Sequence, residues 1–91
     1  MKAMAIVRSS IEWGIDEQKS KINQYAMSED INLVHIVLVA NDVDLKLAIN
    51  NLSEVDAVIV TDVTRISRNK ETLDMFKEQL KHNDTQLVIL S

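Results

Sequence analysis

The chain has 91 residues, 46% of them hydrophobic and 3% aromatic, with 14 acidic against 10 basic side chains, a formal net charge of −4 and no cysteine. That length makes a single domain whose modest core must come from Ile, Val, Leu, Ala and Met. Disulfides and thiolate metal sites are excluded. No apolar run approaches a membrane span and nothing resembles a signal peptide, so a cytoplasmic protein is expected, and the acidic balance argues against free-standing binding to nucleic acid.

Ala3 to Val7 is a short apolar run bounded by charge and reads as a buried first strand. It runs into Arg8-Ser9-Ser10, after which the pattern breaks as far as Gly14, the only glycine in a chain without proline. A helix is expected from Ile15 to Met27, with Ile15, Ile22 and Ala26 on one face and Tyr25 beside them. Ile31 to Ala40 is the longest strand candidate. Asn41-Asp42 then caps a helix from about Val43 to Leu52, where Leu45, Ala48, Ile49 and Leu52 form one apolar stripe. Asp56 to Asp62 is the third strand. Asn69 is a fair N-cap for a helix to His82 with Leu73, Phe76 and Leu80 inward, and Gln86 to Leu90 is the last strand. The order β-α-β-α-β-α-β with short links predicts a mainly parallel sheet with right-handed crossovers.

The stretch Asp62-Val63-Thr64-Arg65-Ile66-Ser67-Arg68-Asn69 stands out. Two arginines lie three apart just past a buried strand, where open α/β sheets bind their ligands, and their guanidiniums can converge on one phosphate. If the end of the first strand meets this turn, a serine hydroxyl joins three arginines. Charge is also uneven: Arg65 to Lys81 holds five basic residues against three acids, and the remainder five against eleven. A positive segment on an acidic body suits a phosphate, as it also suits a solvated helix face. Blander readings stand beside these. Ser9 and Ser10 can satisfy loop backbone groups, and a serine without a neighbouring base is usually inert. His35 reads as a packed strand residue and His82 as a cation at a helix C-terminus. Asp16, Glu17, Asp56 and Asp62 read as a scattered solvated set, and Trp13 as a cover for the first helix or a partner contact.

Arg8-Ser9-Ser10 after the first strand, Gln18 a helical turn or so later, and Thr64-Arg65-Ile66-Ser67-Arg68-Asn69 after the third strand together resemble the catalytic domain of serine recombinases of the resolvase/invertase type. Their signature is Arg-x-Ser after the first strand and Asp-Arg-x-x-Arg after a later one. The resemblance covers nearly the whole chain. It implies a three-layer α/β/α sandwich around a mainly parallel sheet of four to five strands, with resolvase-like (flavodoxin-like) topology. It also implies site-specific DNA strand cleavage and exchange through a phosphoserine intermediate, as in the integration and recombination of mobile elements and phages. On that resemblance Ser10 is the nucleophile, Arg8, Arg65 and Arg68 surround the scissile phosphate, and Gln18, Thr64 and Ser9 support them. No cofactor and no metal are implied. Arginine suits the task because it stays charged and its fork matches phosphate oxygens. Losing one fixed donor to developing charge typically costs about 3 to 4 kcal/mol.

The chain departs from the family pattern in three places. Thr64 stands where the family has aspartate, with Asp62 two residues earlier. Asp42 falls near a family arginine, and the loop that usually follows the second strand is missing between Ala40 and Asp42. These departures support an alternative, a catalytically inactive recombinase-like protein acting as a regulatory or interaction module, for instance on a full-length recombinase. A third reading, by fold analogy, is a phosphate or nucleotide binder. The family's long dimerisation helix and DNA-binding region have no counterpart before Ser91. The expectation is therefore one catalytic domain over 1–91, a monomer or weak dimer in isolation, acting on DNA only when joined to or assembled with a DNA-binding region.

Overall fold

The computed structural model describes residues 1–9 and 14–90. Among them β1 (Lys2–Val7), α1 (Ile15–Ser28), β2 (Asn32–Leu38), α2 (Leu45–Asn50), β3 (Ala57–Val60), α3 (Lys70–His82) and β4 (Gln86–Ile89) follow one another. The sheet order is β2-β1-β3-β4, and all three pairings are parallel. The chain steps from β1 to β2 on one side, then back past β1 to β3 and β4 on the other. That reversal puts the helices on opposite faces. Ile22 of α1 packs with Ala3, Ala5, Val7, Ala57 and Ile59. Leu45 and Ala48 of α2 and Phe76 and Leu80 of α3 pack with Met4, Ile6, Val58 and Val60. A reversal of this kind opens a crevice beyond the carboxyl ends of the two central strands, which here are β1 and β3.

The strand sequences explain their places. β1 and β3 are buried on both faces, Ala3 to Val7 and Ala57 to Val60 each within 1% of full burial, as continuous apolar runs in a parallel sheet should be. β2 lies at the sheet edge and leaves Val34, Ile36 and Leu38 at 37%, 46% and 55% exposure. Its register slips by one residue opposite Ala3 and Met4. His35, read from the sequence as packed, instead sits half-exposed with its Nε2 3.2 Å from Glu54 Oε2.

Helix ends show how the chain stops a helix without glycine. Asp30 and Asp84 each take φ 55°, a left-handed conformation that aspartate tolerates better than most residues. After α1, the N–H of Ile31 donates to Ala26 O and that of Asp30 to Met27 O. After α3, Thr85 donates to Leu80 O and Asp84 to Lys81 O. Both are Schellman closures.

The second helix is shorter than its apolar stripe suggests. Asn41 caps by accepting from the Val43 N–H at 3.0 Å, while the Asp44 carboxylate accepts from the N–H groups of Ala40 and Asn41. These local bonds tighten Asp42–Asp44 into a 3-10 turn, and Leu52–Glu54 forms another, leaving an α-helix only over Leu45–Asn50. The predicted inward residues Leu45, Ala48 and Leu52 are nonetheless buried. β2 and β3 are also shorter than the apolar runs that carry them. α3 starts as expected, with Asn69 Oδ1 accepting from the Thr72 N–H at 3.0 Å.

Candidate active site at the ends of β1 and β3

Arg8 is the first residue past β1, and its main chain is fixed from α1. Gln18, fully buried, accepts from the Arg8 N–H through Oε1 at 3.0 Å and donates through Nε2 to the Arg8 carbonyl. One amide thus satisfies both backbone groups of the residue where the strand ends, which is why a polar side chain is stable inside the apolar stripe of α1. The Arg8 side chain points across the crevice. Its Nε donates to Arg65 O at 3.2 Å and its Nη2 to Ile66 O at 2.8 Å. Nη2 also forms a 2.9 Å ion pair with Asp42 Oδ1. The two strand ends therefore meet, joined by one guanidinium.

The turn after β3 is built from its own polar side chains. Asp62 caps the 3-10 turn Val63–Arg65, its Oδ1 accepting from both the N–H and the Oγ1 of Thr64 at 2.8 Å. These two bonds from Thr64 hold the Asp62 carboxyl below its ordinary value of 3.8, and the charges of Arg65 and Arg68 add to the effect against the opposing cost of burial. Arg65 is only 6% exposed, and its Nε donates to Thr61 Oγ1 at 3.3 Å. An arginine so buried needs such partners. Ser67, 2% exposed, donates from Oγ to Asp42 Oδ2 at 2.9 Å and accepts from the Asn69 N–H at 3.0 Å. The Arg8 hydrogen bond is the foremost cause holding the Asp42 carboxyl below 3.8; partial burial opposes it, while Ser67, the Arg8 charge and Thr72 reinforce it.

Of the residues singled out from the sequence, the structure brings Arg8, Gln18, Thr64 and Arg65 into one bonded assembly around the crevice. Arg68 lies exposed on the same turn, and Ser9 is exposed just past Arg8. Ser10 and Trp13 lie outside the described residues. Asp62, read as part of a solvated set, is instead a capping acceptor. Its signal was present, since an aspartate side chain often accepts from the backbone two residues on. Thr61, Ser67 and the pairing of Asp42 with Arg8 were missed, and the last depends on residues 34 apart meeting in space. Among the described residues no group of His, Asp and Glu is arranged to hold a metal ion, and no helix is long and apolar enough to cross a membrane.

The fold is a parallel α/β domain in which Arg8 joins the two strand ends at the topological switch point. The family described as Resolvase, N terminal domain, matches residues 5–91, and the chain belongs to that family. The N-terminal catalytic domain of TP901-1 integrase superposes with a TM-score of 0.85 at 23% identity, covering 99% of this chain and 77% of that one. The C-terminal catalytic domain of ISC1926 TnpA, an IS607-like serine recombinase, gives 0.86 at 17% identity over 100% and 68%. A resolvase family site-specific recombinase from Streptococcus pneumoniae gives 0.85 at 17% over 99% and 72%. At these identities the likeness is one of fold. It bears out the mainly parallel, resolvase-like sheet of four to five strands expected from the sequence, which has four strands among the described residues. A comparison with curated proteins returned no match.

Proposed function

We propose that residues 1–91 form the catalytic domain of a serine recombinase, in which Ser10 attacks a DNA phosphodiester held by Arg8, Arg65 and Arg68. The observation that supports this reading is the Arg8 bridge to the carbonyls of Arg65 and Ile66, which joins the end of β1 to the turn after β3. In the step proposed, the Ser10 oxygen forms a bond to phosphorus, the bond to one deoxyribose oxygen breaks, and that oxygen leaves with a proton as a free hydroxyl. Phosphorus keeps four oxygen ligands before and after. Because one ester replaces another, a strand hydroxyl can later reverse the step and rejoin a different end, with no energy-rich cofactor consumed.

Gln18, Thr64 and Asp62 take supporting roles in this reading. Gln18 holds the main chain of Arg8, the residue that precedes Ser9 in the sequence. Thr64 and Asp62 shape the turn that presents Arg65 and Arg68. Arginine positive charge, placed in advance, stabilises the extra negative charge at phosphorus in the transition state. With a net charge of −4, contact with the rest of the DNA falls to a DNA-binding region joined to this domain or assembled with it.

The test is covalent trapping. The domain, fused to a DNA-binding region, is incubated with duplex DNA nicked within a recombination site. A protein–DNA adduct that survives denaturation and disappears in Ser10→Ala is the expected result. Absence of an adduct in the fused protein, with DNA demonstrably bound, would overturn the enzymatic reading.

A further inference from the structure

The Asp42 carboxylate occupies a place that a phosphate would be expected to use. It lies in the 3-10 turn after β2, and its two oxygens reach the two other segments of the site. Oδ1 accepts from Arg8 past β1, and Oδ2 accepts from Ser67 in the turn after β3. Bridging three segments with one acceptor group is what a bound oxyanion does in an arginine-lined crevice. The pair is not sealed: the Arg8 and Asp42 side chains keep 20% and 38% of their surface, so an ion from solvent can reach them. Nor does Arg8 depend on Asp42 for its orientation, because Nε and Nη2 also hold the carbonyls of Arg65 and Ile66.

We infer that Asp42 is an internal competitor for the anion, a built-in carboxylate that occupies Arg8 and is displaced from it when a phosphate enters the crevice. The inference rests on the phosphate-binding reading given above and adds a restraint to it. With Arg8, Arg65 and Arg68 against Asp42 and Asp62, the crevice carries a formal charge of +1 rather than the +3 of its arginines alone. An arriving phosphate must share Arg8 with a carboxylate of like charge or push it aside. Phosphate affinity is thereby lowered while the arginines stay preformed. A phosphate offers more acceptor oxygens than the carboxylate and can engage Arg65 and Arg68 at once, so it wins only when it contacts the whole cluster.

The experiment titrates inorganic phosphate into the full chain and into Asp42→Asn, which keeps the shape and removes the charge. Asp42→Asn should bind phosphate about three- to tenfold more tightly, the range expected for removing one like charge at a partly solvated site. The gain should vanish when Arg8→Gln is added, in a double-mutant cycle. In the unaltered chain, the carboxyl carbon resonance of Asp42 should move as phosphate saturates while that of Asp16 stays in place. This readout does not depend on any variant folding. Phosphate binding that Arg68→Gln weakens, accompanied by a stationary Asp42 resonance or an unchanged Asp42→Asn affinity, would overturn the inference and leave the phosphate site standing. No phosphate binding by any form would overturn the phosphate site and this inference with it.

Discussion

Replacing Gln18 by leucine tests the joint between α1 and the catalytic segment. The substitution keeps a side chain of similar volume in a fully buried position and removes the amide that bonds both the N–H and the carbonyl of Arg8. Each bond contributes roughly 1 kcal/mol net, but a donor or acceptor left partly buried without a partner costs about 1 to 3 kcal/mol. Arg8 is half-buried, so water can reach it after a small shift and the lower half of that range applies to each group. The sum is about 2 to 4 kcal/mol, against a total stability of roughly 5 to 14 kcal/mol for a chain of this size. Urea denaturation should show the midpoint falling with an unchanged slope. Hydrogen exchange adds the local readout: the Arg8 amide should lose protection while those of Val58 and Ile59 track only the global change. A loss below about 0.5 kcal/mol with the Arg8 amide still protected would refute the claim that one buried amide anchors the end of β1.

Other outcomes follow from particular contacts. Asp84→Gly should raise stability by about 0.5 to 1 kcal/mol, or several degrees in Tm, because glycine adopts the φ of 55° found there without the strain that a side chain brings. Phe76→Ala should cost about 3 to 5 kcal/mol, because Phe76 is fully buried between α3 and the sheet. Both are measured by thermal or urea unfolding. The carboxyls of Asp42 and Asp62 are held below 3.8 in the folded chain, so their contribution is complete above that value and is lost as the pH falls through it toward the folded-state values. Stability measured from pH 7 downward should therefore be level in this respect until about pH 5 and then decline, with the decline shallower in Asp42→Asn/Asp62→Asn.

The sequence carried the fold to the extent that each element signalled itself locally. α1 and α3 have regular apolar faces, and the second also has an Asn cap, so they lie where the periodicity places them. β1 from Ala3 onward and the whole of β3 are apolar because both faces are covered. The edge position of β2 was not legible: its apolar run resembles that of a central strand, and only the pairing with β1 alone leaves Ile36 and Leu38 exposed. The extent of the second helix was misjudged because the Asn41 and Asp44 side chains compete for the backbone of its first turn. At the site, the strand ends drew attention to Arg8 and Arg65, whereas Gln18 and Thr64 were singled out only through the family resemblance. The pairing of Asp42 with Arg8 and Ser67 joins positions remote in sequence, and a charge opposite to the expected one gave no hint that it would complete the same cluster.

In the function proposed, β1 and β3 end on one phosphate site. A crystal of the domain soaked with tungstate, a heavy phosphate mimic, locates that site directly through its anomalous scattering. The expected result is a single strong peak in the crevice between the two strand ends, with guanidinium nitrogens of Arg65 and Arg68 within hydrogen-bond distance. A peak on the lysines of α3 with the crevice empty would contradict it.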